Sequence, residues 1–291
     1  MFEMLRSKTG RLAVSGHRGA SGYAPENTMP AFEKALAVGA DVIEFDVHLS
    51  RDGQCVIIHD EMLDRTTDGH GPVRHYTWDE LKTLDAGCWF DRKNEAARLA
   101  QVPPIPGIEP LPIPEEKFAG VRMPLLQEVL EWSTAVGMPV AIEIKAPWPF
   151  YHGLQVYPGI VEKVLEQVAR YGNEELTSLH SFDHQAVLRS KELNPNITTM
   201  VSFGGAILVD PVGPARAARA GGIAIGSNWV TPELVEMVHA EGVFLFGWGL
   251  GEEPFSQAHD LCRLVAMGVD FVSGGFPDLL RQVVENKANF Q

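Results

Sequence analysis

Cysteines, basic residues and long apolar runs are all scarce in this 291-residue sequence. The three cysteines, Cys55, Cys88 and Cys262, are widely spaced and form no CxxC pair, so neither a disulfide framework nor a zinc cage is indicated. No apolar run approaches the roughly 20 residues of a membrane span, and residues 1–16 lack the apolar core of a signal peptide. We therefore expect a soluble, cytoplasmic protein without stable membrane insertion.

The sequence also has few basic residues: it contains 24 basic and 38 acidic residues, which gives a net charge of −14. Proteins that bind nucleic acids or anionic membranes usually carry a basic surface, so this balance argues against both partners. An anionic small molecule would need a local positive site in an otherwise acidic protein. The oligomeric state leaves no signal in the sequence.

Apolar residues make up 45% of the chain and charged residues 21%, which is enough to bury a sizeable core. Short runs rich in β-branched residues alternate with longer amphipathic stretches, a pattern typical of a parallel sheet covered by helices. The strand candidates are residues 12–16, 42–49, 140–145, 176–182, 198–202, 223–227, 243–248 and 269–273. Eight parallel strands close a barrel, so we predict one α/β domain over residues 1–291, a TIM-type (β/α)8 barrel.

One further run, residues 54–59, follows the second strand too closely for a parallel crossover. We expect it to turn back as a hairpin, because the Asp-Gly dipeptide at 52–53 favours a two-residue turn. A turn centred there places Asp46 opposite His59, with Glu44 on the same face. The pattern alone therefore predicts that these three side chains form one cluster.

After the hairpin comes a segment that does not fit the alternation of strands and helices. Residues 101–116 contain six prolines and few polar side chains. We predict that residues 61–120 form a small insertion over the barrel mouth and that the proline-rich part lines or covers it. A solvated connector is the alternative.

Charged side chains also occupy the strand at 140–145, where Glu143 and Lys145 share a face. Residues near the carboxyl ends of barrel strands converge on one mouth. Glu44, Asp46 and Glu143 would then supply three carboxylates there, a set that suits a hard divalent cation such as Mg²⁺ or Ca²⁺ better than zinc. A plain salt bridge between Glu143 and Lys145 is the structural alternative.

The remaining polar residues at the predicted mouth suit a phosphate ester. His17 and His59 are free for proton transfer, while Arg18 and Lys145 supply positive charge for phosphoryl oxygens. Trp248, at the end of a strand, is either core or a substrate wall. The other histidines are expected at the surface; they include His48, His70, His75 and all those later in the chain.

Around these residues the sequence carries a series of short motifs spread over nearly the whole chain. They are His17-Arg18-Gly19, Pro25-Glu26-Asn27-Thr28, Ile43-Glu44-Phe45-Asp46-Val47, Asp52-Gly53, His59-Asp60, Leu63-Asp64-Arg65-Thr66-Thr67, Leu84-Asp85-Ala86-Gly87, Ile142-Glu143-Ile144-Lys145, Ser181-Phe182 and Trp248. The block over residues 16–67 is highly specific. Together the motifs resemble the glycerophosphodiester phosphodiesterase family.

The resemblance implies a TIM-type barrel that hydrolyses a glycerophosphodiester to glycerol 3-phosphate and an alcohol. It implies one divalent cation held by Glu44, Asp46 and Glu143, and acid–base catalysis by His17 and His59 in roles that the sequence does not assign. In this family the attacking hydroxyl can be the glycerol's own, which would give a cyclic phosphate intermediate.

Two departures from the family pattern fall on neighbouring strand ends. After the tryptophan, Gly249-Leu250-Gly251 stands where the family usually has Thr-x-Asn, and Gly274-Gly275 stands where it has Thr-Asp. We predict that one wall of the pocket has lost polar side chains and gained room. The phosphate chemistry would stay intact, whereas the preference for glycerol would not be fixed.

Two other functions are compatible with the same residues. One is a lysophospholipase D-like or cyclising phosphodiesterase that acts on a related phosphodiester. The other is a non-catalytic barrel that binds phosphate esters, although binding alone needs no paired acid and base.

Overall fold

The computed structural model describes residues 1, 5, 12–90, 117–145, 158–204, 208–248 and 254–285, with the backbone alone for 254–259. The proline-rich segment 101–116 lies outside the described residues, as do Gly249 and Gly251. Predictions about these positions are therefore untested.

Eight parallel strands close into a barrel, which confirms the predicted fold. The order is β1, β9, β8, β7, β6, β5, β4, β2, and pairing of β2 with β1 completes the ring. The strands are β1 (Ala13–His17), β2 (Val42–Leu49), β3 (Cys55–Ile57), β4 (Val140–Ile144), β5 (Thr177–Ser181), β6 (Thr198–Phe203), β7 (Gly222–Gly226), β8 (Phe244–Trp248) and β9 (Phe271–Gly274). Each predicted barrel strand overlaps an observed one, and β2 has the predicted bounds.

Helices lie between the barrel strands and cover the sheet. They are α1 (Met29–Ala37), α2 (Trp78–Leu81), α3 (Leu126–Val136), α4 (Ile160–Tyr171), α5 (His184–Leu193), α6 (Gly213–Ala217), α7 (Pro232–Ala240), α8 (Pro254–Met267) and α9 (Pro277–Glu285). Local signals explain several ends: Thr231 caps α7 by accepting from the backbone N–H of Leu234, and Gly137 ends α3 in the left-handed conformation. Among the described residues, no helix is both long and apolar enough to cross a bilayer.

Strand β3 folds back antiparallel on β2 as predicted, but the predicted register is wrong by one residue. Val47 pairs with Ile57 and His48 with Val56, so Asp46 stands opposite Ile58 rather than His59. The cause is a longer loop, in which Ser50 N–H donates to the Gln54 carbonyl and residues 51–53 form the turn. Gly53 adopts φ +76°, the left-handed position that closes three-residue hairpin loops.

The described parts of residues 61–120 pack against this hairpin. Short 3₁₀ turns at Leu63–Arg65 and Val73–His75 precede α2. A separate small core joins the hairpin to this segment; its buried members are Val56, Ile58, Leu63, Val73, Leu81 and Met123. The segment is therefore anchored on β3, beside the carboxyl ends of the barrel strands. That it extends over the mouth remains a prediction.

The barrel interior is apolar at one end and charged at the other. Its lower layer is a buried apolar cluster; the members are Leu5, Ala13, Val42, Ala141, Met200, Ala224, Phe246 and Phe271. Moving two residues along β2 and β4 from that layer reaches Glu44 and Glu143, because every second residue of a strand faces the same side. The apolar floor therefore supports a polar layer near the carboxyl ends.

Candidate active site

Strand pairing brings the predicted acidic residues together at the carboxyl ends. Glu44 is paired with His17 of β1, and Asp46 with Glu143 of β4. Glu143 is in turn paired with His180 of β5. Paired residues on neighbouring strands point to the same side of the sheet, so all five face the barrel interior.

Three carboxylates are thus buried close to one another, at 2% exposure for Glu44, 1% for Asp46 and 8% for Glu143. Lys145 neutralises part of this charge, because its Nζ lies 2.9 Å from Asp46 Oδ1 and 2.6 Å from Glu143 Oε1. The Glu143 and Lys145 pair is therefore a salt bridge, but one that forms part of a larger buried cluster. Buried charge of this kind needs compensation from partners.

Asp46 has the most complete set of partners. Asn27 Nδ2 donates to Asp46 Oδ2 at 2.7 Å, and Arg18 Nε lies 3.6 Å from the same oxygen. Burial alone would raise the pKa of Asp46, but the charges of Lys145, His59 and Arg18 hold it well below its usual value. Asp46 is therefore ionised and held firmly in place.

Glu44 is in the opposite situation. Burial, together with the charges of Asp46 and Glu143, raises its pKa well above the usual value. The backbone N–H of Arg18 donates to Glu44 Oε2 at 3.0 Å, while the nearest side-chain nitrogens belong to His17 and His180. Among the described residues, Glu44 is therefore a buried carboxylate without an ion pair to a lysine or arginine side chain.

The group formed by Glu44, Glu143 and His180 has the geometry of a metal site. One ligand atom from each lies within 4.8 Å of the other two, and all three residues are buried. His180 Nε2 is 3.7 Å from Glu44 Oε1 and makes no hydrogen bond within the described part of the chain. Ser202 Oγ lies 3.1 Å from Nδ1 and can hold the ring. This donor set fits a divalent cation, whose positive charge would balance the Glu44 carboxylate.

The two predicted catalytic histidines lie at the rim of this cluster. His17 Nε2 is 4.0 Å from Glu44 Oε2, and burial together with the Arg18 charge lowers the pKa of His17 to about 3. His59 is 31% exposed, and its Nδ1 lies 2.6 Å from Asp60 Oδ1. The backbone N–H of its neighbour Ile58 donates to the carbonyl oxygen of Asp46 at 3.2 Å, so His59 lies beside the strand that carries the cluster despite the corrected register.

Two histidines expected at the surface are buried, so that expectation was wrong for them. His48 is 2% exposed and donates from Nε2 to the carbonyl oxygen of His59 at 3.0 Å. His180 is 5% exposed and belongs to the candidate metal group. Both occupy inward positions of strands, and that alternation was the signal available in the sequence. Asn27 was also missed as a partner of Asp46, although it lies in one of the quoted motifs.

Trp248 ends strand β8 and is partly buried. Its ring packs edge-on against Phe182 with centroids 5.5 Å apart, and its Nε1 makes no hydrogen bond within the described residues. The predicted extra room is not seen at Gly275, where an added Cβ would lie 2.9 Å from Ser21 Oγ and 3.2 Å from the nitrogen of Gly22. Gly275 therefore packs closely against Ser21 and Gly22, and its lack of a side chain leaves little open space at that position.

Comparisons with known proteins show the family to which the chain belongs. The family model described as "Glycerophosphoryl diester phosphodiesterase family" matches residues 17–279. A glycerophosphodiester phosphodiesterase of Caldanaerobacter subterraneus subsp. tengcongensis is 35% identical over 271 residues, which cover 93% of this chain and 97% of the relative. A putative glycerophosphodiester phosphodiesterase of Bacillus subtilis is 32% identical, with 92% of this chain and 96% of the relative covered.

Solved structures give the same result. A glycerophosphodiester phosphodiesterase of Agrobacterium tumefaciens superposes with a TM-score of 0.71 at 29% identity, covering 92% of this chain and 98% of that one. A phosphodiesterase of Oleispira antarctica, solved in complex with the product sn-glycerol-3-phosphate, superposes with a TM-score of 0.76 at 25% identity, covering 96% and 99%. The chain therefore belongs to the glycerophosphoryl diester phosphodiesterase family, and with it the predicted enzyme class of phosphoric diester hydrolases is confirmed.

Proposed function

We propose that this protein hydrolyses a glycerophosphodiester to glycerol 3-phosphate and an alcohol, with the help of one divalent cation. The observation that carries the proposal is the pair of imidazoles, His17 and His59, at the rim of a buried carboxylate cluster. The relatives named as glycerophosphodiester phosphodiesterases and the neighbour bound to sn-glycerol-3-phosphate support the choice of substrate.

Glu44 and Glu143 would hold the cation, with Asp46 as the third ligand expected from the sequence or His180 as the one favoured by the compact group. A bound cation would withdraw negative charge from the phosphoryl oxygens. An all-carboxylate set favours Mg²⁺ or Ca²⁺, whereas an imidazole ligand also admits metals such as Mn²⁺. Cation affinity measured for Asp46→Asn and His180→Gln decides the third ligand, since only the true ligand's variant should lose binding strongly.

The chain's own residues would bind the phosphate and transfer the protons. Arg18 and Lys145 would hold phosphoryl oxygens, because their cationic nitrogens lie in the same cluster as the proposed ligands of the cation. One histidine would take the proton from the attacking hydroxyl and the other would protonate the departing alkoxide. Trp248 would form an aromatic wall against the substrate. A cytoplasmic location and a role over the mouth for the insertion stay predictions from the sequence.

Turnover of glycerol phosphodiesters of choline, ethanolamine, inositol and glycerol, each with Mg²⁺, Ca²⁺ and Mn²⁺, tests the proposal and names the leaving alcohol. We expect chelation, His17→Ala and His59→Ala each to reduce kcat by at least about 100-fold. Unchanged turnover after chelation and in His59→Ala would refute the mechanism. Phosphorus NMR of the products separates hydrolysis from the cyclising alternative, because a stable cyclic phosphate identifies the transfer reaction.

A further inference from the structure

A continuous chain of charged side chains joins the two sides of the candidate active site. Asp60 Oδ1 lies 2.6 Å from His59 Nδ1, and Arg65 donates to both oxygens of Asp60 at 2.6 and 3.0 Å. The same guanidinium donates to both oxygens of Glu26 at 2.8 and 2.7 Å. Glu26 also accepts from Arg18 Nη1 at 2.9 Å. Arg65 thus makes two bidentate contacts, one with Asp60 beside His59 and one with Glu26 beside Arg18.

We propose that Asp60 and Arg65 are positioning residues, which fix the His59 imidazole with its Nδ1 protonated and leave Nε2 to exchange protons with the substrate. Glu26 completes the arrangement by tying Arg65 to Arg18. This inference rests on the proposed function, because it requires His59 to take part in the chemistry.

The hydrogen-bonding capacities of the groups support the assignment. An ionised carboxylate only accepts, so the 2.6 Å contact with Asp60 places a proton on His59 Nδ1. Burial alone would raise the pKa of Asp60, but hydrogen bonds from His59 and Arg65 hold it well below the usual value. With its proton on Nδ1, the His59 ring directs the Nε2 position away from Asp60 and toward proton exchange with the substrate.

The backbone around His59 is held as well. His48 donates to the carbonyl oxygen of His59 at 3.0 Å, so the main chain and the ring are each fixed by a separate partner. Arg65 is 43% exposed, and partly exposed ion pairs add little to stability. Its two forked contacts restrict geometry more than they stabilise the fold, which agrees with a positioning role.

The decisive experiment is a double-mutant cycle between His59 and Asp60, measured with two glycerol phosphodiesters that differ in the leaving group, choline and p-nitrophenol. We expect Asp60→Asn to lower kcat by at least about 100-fold. The Asp60→Asn variant should show the same preference between the two leaving groups as His59→Ala. The double variant should be no slower than His59→Ala, because Asp60 acts through the His59 ring. Arg65→Lys should retain more activity than Arg65→Gln.

Asp64→Asn is the matched control. This neighbouring carboxylate also contacts an imidazole, His70 at 3.3 Å, but both side chains are exposed and away from the cluster. We expect its kcat to stay within about twofold of the parent. A loss in Asp64→Asn as large as that in Asp60→Asn would point to a general effect on the loop and overturn the positioning role.

The other outcomes separate the two proposals. Full activity of His59→Ala would overturn the proposed role of His59 and this inference with it. A strong loss in His59→Ala beside normal activity in Asp60→Asn, or losses that multiply in the double variant, would overturn the positioning role alone. Nitrogen NMR of the parent protein gives a test that needs no folded variant at position 60: the Nδ1-protonated tautomer of His59 is expected, and the Nε2-protonated one refutes the inference.

Discussion

Replacement of Glu44 by glutamine should make the cation-free protein more stable while removing cation binding. Glu44 is 2% exposed and close to two other carboxylates. Glutamine has nearly the same shape and keeps an oxygen for the backbone N–H of Arg18, which donates to Glu44 Oε2 at 3.0 Å. The substitution therefore removes one buried negative charge with little change in packing.

The size of the effect follows from the separation of the charges. Two unit charges 4.8 Å apart, the outer limit within the Glu44, Glu143 and His180 group, repel by about 3 kcal/mol at an effective dielectric constant of about 20. Proton uptake by Glu44 relieves part of that repulsion, because its pKa is raised. We expect Glu44→Gln to add about 1–3 kcal/mol to the free energy of unfolding, or about 2–6 °C in Tm.

Thermal unfolding in chelator and in a series of Mg²⁺, Ca²⁺ and Mn²⁺ concentrations measures both effects. At about 100 times Kd the cation should stabilise the parent by about 2.7 kcal/mol, and it should stabilise Glu44→Gln far less. Glu162→Gln is the matched control, since Glu162 is 46% exposed and lies on the outer helix α4. That exchange should change stability by no more than about 0.5 kcal/mol in either condition.

A result opposite in sign would refute the reasoning. If Glu44→Gln unfolded at a lower temperature than the parent in chelator, the carboxylate would be compensated by partners other than a cation. Equal stabilisation of both proteins by the cation would place the binding site elsewhere.

Three further predictions test other parts of the molecule. Contacts with Arg18 and Arg65 outweigh burial and lower the pKa of Glu26 to about 2. Ionised Glu26 therefore adds about 3 kcal/mol at most to the free energy of unfolding, a contribution that is present above pH 4.5 and lost as the pH falls toward 2. In urea unfolding, Glu26→Gln should lose less stability than the parent over that pH range. Burial raises the pKa of Cys55 to about 12, so a thiol reagent at pH 8 should modify exposed Cys88 in the native protein and Cys55 only after unfolding. Gly87→Ala should destabilise the fold by more than about 2 kcal/mol in urea, because a Cβ there would overlap a neighbouring backbone carbonyl.

The barrel was predictable from sequence because its strands carry a strong local signal. A mainly apolar run flanked by turns marks a buried parallel strand. In the run at 42–49 the only polar residues are Glu44, Asp46 and His48. The hairpin register was not predictable to one residue, because the Asp-Gly dipeptide fits two- and three-residue loops alike. Ser50 and Gly53 decide between them through hydrogen bonds that require the folded chain.

The histidines show a different limit of sequence reasoning. A lone histidine is more often exposed than buried, and that expectation is wrong for His48 and His180. Alternation along β5 places His180 inward, on the same side as Glu143, but only strand pairing shows that the two are neighbours. Long-range pairing is the information that a single strand pattern lacks.

Backbone conformation accounts for the part of the site that no pattern predicted. Arg18 and Asn27 adopt positive φ values of 55° and 57°, which are unfavourable for residues with a Cβ. The bend at Arg18 lets its backbone N–H reach Glu44 while its guanidinium reaches Asp46. Asn27 accepts from the backbone N–H of Asp46 and donates to its carboxylate. Strain at these two positions is maintained by contacts with the buried acids, so the loop conformation and the carboxylate cluster depend on each other.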